Sequence, residues 1–186
     1  MTTHDDVEAE TRGSWQFDPP HTLVEFSTKH MMITTVKGNF KSVHGTLLYD
    51  EADPSRSSVQ VEIDATSLYT GTEMRDNDLR SPRFLEVDKY PTITFRSTRV
   101  EMVSSNHGLV TGDLTIHGVT REVVLDTELT GRAKNPSGKE VVAFEAKTSI
   151  NRKDFGLHWN VALETGGFLV GDIIKIEIAV ECIKYS

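Results

Sequence analysis

The residues best equipped for chemistry are seven histidines, at positions 4, 21, 30, 44, 107, 117 and 158, and two charged clusters, Arg75-Asp76 and Arg152-Lys153-Asp154. A metal centre needs convergent ligands, and no two histidines stand at i, i+2 or i, i+4, the spacings that put both on one strand or helix face. The single cysteine, Cys182, excludes an intrachain disulfide and a multi-cysteine metal site. It falls in register with apolar neighbours and reads as a small buried hydrophobe. No Gly-x-Ser-x-Gly elbow, phosphate loop or dinucleotide fingerprint occurs, and no local spacing marks a Ser-His-Asp triad. His107 and His117 sit in turn sequences, where hydrogen bonding is the expected role, whereas His30 and His158 flank apolar residues and suit a pocket mouth. The planar guanidinium groups of Arg75 and Arg152 can either pin a loop through ion pairs or grip the polar head of a ligand. The pattern therefore predicts no metal, no cofactor and no catalytic group.

The elements that must position these side chains are strands. From Trp15 onward the sequence alternates with period two, the mark of a strand with one buried face. Ile174, Ile176, Ile178, Val180 and Cys182 fall on one face, and Lys175, Glu177, Ala179 and Glu181 on the other. The same alternation runs through 59–65, 119–129 and, more weakly, through 24–26, 43–49, 93–95, 110–116 and 142–150, which makes about eight strands. Turn chemistry separates them at Asp53-Pro54-Ser55, Ser104 to Gly108, His117-Gly118, Asn135-Pro136-Ser137-Gly138 and Thr165-Gly166-Gly167. Short links favour antiparallel neighbours, since parallel pairing needs long crossovers. One helix is expected after Thr70, which stands at capping-box spacing from Glu73, with Tyr69 and Met74 placed as a hydrophobic staple and Ser81-Pro82 as the stop. A weaker helical turn is read over Lys29–Thr35.

At 186 residues a single domain is expected. Residues 1–13 read as a mobile acidic tail and 14–186 as the folded domain. The net charge of −8 and the lack of a basic stripe argue against nucleic acid as a partner. No apolar run approaches the roughly 20 residues of a membrane-spanning helix. The N-terminal residues lack the basic and apolar regions of a secretory signal, so a cytoplasmic location is expected.

Eight alternating antiparallel strands suit a closed barrel, which has no exposed edges to template aggregation. Such a barrel is either filled by side chains or wide enough for one small ligand. Its predicted inward register carries Gly45, Ala65, Ser97, Gly112, Thr127, Ala146 and Thr148, small residues that leave volume unfilled.

Phe17-Asp18-Pro19 with His21, Lys29-His30-Met31, Arg75-Asp76, Tyr90-Pro91, the run from Gly112 to Thr120 and the run from Asn151 to Leu157 are all in the order of a known family. The chain resembles the YceI-like family of polyisoprenoid-binding proteins, whose fold is lipocalin-like, over about 15–183. The resemblance implies an all-β, single antiparallel eight-stranded barrel with one or two short helices covering an end. It also implies a long internal pocket for an isoprenoid or acyl chain and no catalytic step.

The leading expectation is binding, storage or transport of a long apolar small molecule such as a polyisoprenoid, isoprenoid quinone or fatty-acyl chain. Inward strand positions nominate Phe26, Val36, Phe40, Val61, Ile63, Phe95, Leu125, Phe144 and Ile178 as lining. The helix and loops that cover a barrel end add Met31, Ile33, Met74, Leu79, Phe155 and Trp159. Arg75 and Arg152 are the head-group candidates, with His30 at the mouth. An enzyme acting on a bound lipid or quinone would instead use Asp76, His30 or Asp154 as acid–base group, within the pocket. A protein-interaction module with a vestigial pocket, and a homodimer, are also compatible with the pattern.

Overall fold

The computed structural model describes residues 13–185. The acidic tail read from the sequence lies outside these residues, except Gly13, which opens the first strand. Eight strands close a barrel: β1 (Gly13–His30), β3 (Val43–Tyr49), β4 (Ser58–Asp64), β6 (Thr92–Met102), β7 (His107–Ile116), β8 (Val119–Lys134), β9 (Glu140–Asn151) and β10 (Ile173–Lys184). Two further strands, β2 (Thr34–Phe40) and β5 (Leu68–Tyr69), extend the sheet beside β1. Neighbours pair in the order β10-β9-β8-β7-β6-β4-β3-β1, and β1 returns to β10. All the pairings are antiparallel.

β1 makes closure possible because it serves two neighbours on one edge. Gly13–Gln16 pair with β3, Val24–His30 pair with β2, and the opposite edge pairs with β10. The β10 register shifts between Phe17 and Thr22. Pro19 and Pro20 lie in that interval and have no N–H to give the ladder, so the strand must bulge there. The bulge is tied by His21 Nδ1 to Asp18 Oδ2 at 2.7 Å.

Two local expectations change. Lys29–Thr35 is the end of a β-hairpin, its turn Met31–Ile33 joining β1 to β2, with the Ile33 N–H donating to the His30 carbonyl at 3.1 Å. Thr34, Thr35 and Val36 are β-branched and belong to β2, where such side chains fit best. The only α-helix among the described residues, α1 (Glu73–Arg80), starts two residues later than expected, with Thr72 as N-cap and no side-chain cap bond. Tyr69 and Met74 are both exposed and form no staple.

Thr70 is instead held from inside the helix. The buried carboxylate of Asp76 accepts the Thr70 N–H at 2.8 Å and also its hydroxyl. Arg75 completes the knot, donating to the Thr70 hydroxyl and carbonyl, each at 2.8 Å. Replacing Asp76 with Ala leaves the Thr70 N–H without this acceptor and is expected to cost about 1–3 kcal/mol in chemical denaturation, with Asp76→Asn costing less because one oxygen remains. Equal stability of wild type and Asp76→Ala would show that the knot contributes nothing.

Two apolar clusters complete the interior. Trp15, Leu47, Tyr49, Val142, Val180 and Cys182 pack where β1, β3, β9 and β10 meet near the chain ends. Ala65, Val87, Ile93, Phe95, Leu114, Ile116, Val123, Ile150 and Phe155 pack toward the opposite end.

Candidate ligand-binding cavity

Between the clusters the barrel is hollow. A cavity of about 970 Å³ runs from α1 at one end to the 54–58 and 102–108 turns at the other. This is at the upper end of the range for small-molecule sites and close to thirty times the liquid volume of a water molecule, about 30 Å³. Its length is walled by apolar side chains from the barrel strands, among them Val61, Phe95, Val110, Leu125, Phe144 and Ile176. Polar lining groups gather mainly at the two ends: Thr72, Asn77, Asp78 and Ser81 beside α1, and Ser57, Ser58, Ser105 and Asn106 at the far end.

Of the small residues expected to open this space, only some do so. Thr127, Ala146 and Thr148 border the cavity. Gly45 and Gly112 do not supply it, because aromatic rings already occupy their side-chain positions. A Cβ on Gly45 would lie 2.4 Å from the Phe17 ring, and one on Gly112 would lie 2.5 Å from Phe95. Ala65 is packed in the core cluster, and the Ser97 hydroxyl accepts the Val59 N–H at 2.9 Å.

Phe26, His30, Val36, Phe40, Val61, Ile63, Met74, Arg75, Leu79, Phe95, Leu125, Phe144, Arg152, Trp159 and Ile178 border the cavity. Met31 and Ile33 do not, because they sit on the outward hairpin tip, where Ile33 is 75% exposed. Phe155 does not either: it is fully buried in the core cluster, carried there by a 3-10 turn over Arg152–Phe155. Among the side chains nominated for acid–base chemistry, Asp76 and Asp154 lie off the cavity, and His30 stands exposed at its rim.

Arg152 is the structural surprise. Its side chain is 3% exposed, and its guanidinium donates to the carbonyls of Gly171 at 2.9 Å, Leu157 at 2.7 Å, Trp159 at 3.0 Å and Val170 at 3.4 Å. Burial pulls its pKa below the ordinary arginine value, with Asp172 opposing the change. The residue thus ties together both limbs of a strap, residues 156–172, that crosses the end of the barrel. The strap brings Leu157, Trp159, Leu169 and Val170 to the cavity, and Trp159 meets Phe84 edge to face at 5.3 Å. Of these, sequence reading found only Trp159. The missed signal is the long interval between β9 and β10 in which alternation stops.

The remaining reactive groups lie elsewhere. Cys182 borders the inner end of the cavity, and burial pushes its thiol up to about 12. Asp18, His21 and Glu181 converge across β1 and β10 with their ligand atoms within 4.8 Å of one another, an approach that linear spacing does not reveal. Their strand positions place them at the bulge, and the Asp18 hydrogen bond followed by the Glu181 charge raises the His21 pKa.

A barrel of this shape, with a strap and short helix at one end, has known relatives. The family described as the YceI-like domain matches residues 15–182. The chain belongs to the YceI-like family. A UPF0312 protein of Staphylococcus aureus is 37% identical over 169 residues, covering 90% of this chain and 96% of the relative. The crystal structure of the Campylobacter jejuni YceI protein shares 34% identity at a TM-score of 0.72, over 85% of this chain and 90% of that one. Two more distant structures share the YceI-like fold. Burkholderia cenocepacia BcnA has a TM-score of 0.76 at 23% identity, covering 89% of this chain and 98% of its own. A polyisoprenoid-binding domain from Saccharophagus degradans has a TM-score of 0.70 at 14% identity, over 92% of this chain and 98% of that domain.

Proposed function

We propose that this protein binds and carries a single long apolar chain, of isoprenoid or fatty-acyl type, inside its barrel and without a catalytic step. The observation that carries this reading is the cavity of about 970 Å³, apolar along its length and polar mainly at its ends. Each buried methylene contributes roughly 0.8 kcal/mol, so about a dozen carbons nominally supply about 10 kcal/mol before the cost of lost ligand freedom. Micromolar affinity requires about 8 kcal/mol net, so without a strong polar anchor the chain must bury more than a dozen carbons to offset that cost. The Saccharophagus degradans domain of the same fold is described as polyisoprenoid-binding, which supports the same class of cargo here.

The head group lies at the α1 end, near Arg75 and Arg83. Arg83 sits over the Trp159 ring at 4.3 Å and pairs with Asp78 at 3.3 Å. Arg152, with its donors spent on four carbonyls, orders the strap rather than the ligand. Native mass spectrometry and solvent extraction of the purified protein are expected to recover one lipid per chain, and the emptied protein should take up an apolar fluorescent probe. Recovery of no lipid together with no uptake of probe would sink the reading.

A further inference from the structure

The end of the barrel beneath α1 and the strap carries many of the large apolar side chains that the described residues leave in water. Met31, Met32 and Ile33 are 43%, 63% and 75% exposed at the β1–β2 hairpin tip. Met74 on α1 is 83% exposed, and Val161 and Phe168 on the strap are 46% and 52% exposed. These segments are joined. The Met31 N–H donates to the Leu169 carbonyl at 2.8 Å, and the Gly171 N–H donates to the Lys29 carbonyl at 2.9 Å. The Met32 sulfur packs over Gly167, where a Cβ would approach it to 2.4 Å. The hairpin tip and strap therefore form one ledge, and Met74 borders the same cavity as His30, Trp159 and Leu169.

The hairpin tip is built against local preference. Met31 and Met32 have φ of 52° and 65°, a left-handed conformation that side-chain-bearing residues rarely adopt and that hairpin turns usually give to Asn and Gly. Holding two methionines there displays apolar surface that a water-facing turn has no use for. An aromatic–cation pair stands beside the strap, Arg83 over Trp159 at 4.3 Å. Trp and Tyr with snorkelling cations are the usual residents of the boundary between hydrocarbon and water.

We propose that this rim docks the protein onto a lipid bilayer of neutral head groups, with the Met31–Ile33 tip and Phe168 inserted and the cavity mouth turned toward the hydrocarbon. The inference rests on the reading of the cavity as a carrier of a long apolar chain, which is scarcely soluble in water and must be loaded where it is dissolved. The apolar surface frames the mouth of an apolar cavity. A second copy seated there would stopper the opening, whereas fluid hydrocarbon is continuous with the interior. Charge favours neutral lipid, because the net charge of −8 opposes an anionic surface.

The test is co-sedimentation of the full chain with phosphatidylcholine vesicles, with and without added phosphatidylglycerol, at low and high salt. Wild type is expected to bind phosphatidylcholine, with no gain from phosphatidylglycerol and no release by salt. Met32→Asp combined with Phe168→Asp is expected to lower the bound fraction at least tenfold while leaving uptake of the apolar probe unchanged. Aspartate tolerates the left-handed turn position, and neither side chain borders the cavity. Wild type left in the supernatant, or a double variant that binds like wild type, overturns the proposal. So does a wild-type dimer that the double variant dissociates without any vesicle binding, which would make a second copy the occupant. Vesicle binding by a protein that takes up no probe keeps the docking surface and removes the apolar-cargo reading instead.

Discussion

Replacing Ala146 with Trp is expected to lower affinity for an apolar probe at least tenfold, about 1.4 kcal/mol, while leaving thermal stability nearly unchanged. Ala146 lies mid-strand on β9, opposite Thr127 on β8 and Ile178 on β10, and borders the cavity. An indole there projects into empty volume rather than into packed neighbours. In a filled core the same enlargement forces side chains off their rotamers and costs about 1–3 kcal/mol. The two readouts therefore separate a hollow barrel from a solid one. A variant that loses stability but keeps its affinity for probe would show that the space is not where the ligand sits. Titration of the probe by fluorescence and a thermal melt on the same sample check both.

Arg152→Met is expected to destabilise the protein by about 3–5 kcal/mol, as when one partner of a buried charged network is removed. For a domain of this size that is a fall in Tm of roughly 6–20 °C. The cause is local and specific. The guanidinium joins carbonyls of the outgoing limb, Leu157 and Trp159, to carbonyls of the returning limb, Val170 and Gly171. Methionine fills the volume but donates nothing, so the Leu157 and Trp159 carbonyls lose their donor, while Val170 keeps the Asn160 amide and Gly171 the Thr28 hydroxyl. Arg152→Lys is expected to recover little, because a single ammonium cannot reproduce the planar fork that reaches both limbs. Hydrogen exchange should show amide protection lost first across 157–171 and at the Met31 amide, which bonds the Leu169 carbonyl. Uniform loss across the whole barrel, with the strap no worse than the rest, would mean that Arg152 does not hold the strap in particular.

Much of the barrel was legible because strand alternation is a local signal. Each of the eight barrel strands contains one of the alternating runs, and the turns at His117-Gly118 and Asn135 to Gly138 fall where their residue types require. The all-antiparallel arrangement followed from short connections. The family followed from ordered motifs spread along the chain, and it matches residues 15–182. Where sequence reasoning failed, a different local contact outweighed the expected one. The Thr70-to-Glu73 spacing suggests a capping box, but Asp76 bonds Thr70 and the helix begins at Glu73. Met31 and Ile33 follow an inward strand, yet the turn that joins β1 to β2 carries them to the outer rim.

The sequence by itself determined the strands, their faces and therefore an apolar barrel interior, because a period of two assigns every side chain to one side of a sheet. Only the tertiary structure decided how hollow that interior is. A glycine leaves a cavity when nothing fills its place and none when a phenylalanine ring does, and at Gly45 and Gly112 the rings of Phe17 and Phe95 fill it. The role of Arg152 was decided the same way. Its charge is written in the sequence, but whether that charge meets a ligand or four backbone carbonyls depends on a strap that folds back from 19 residues further along the chain.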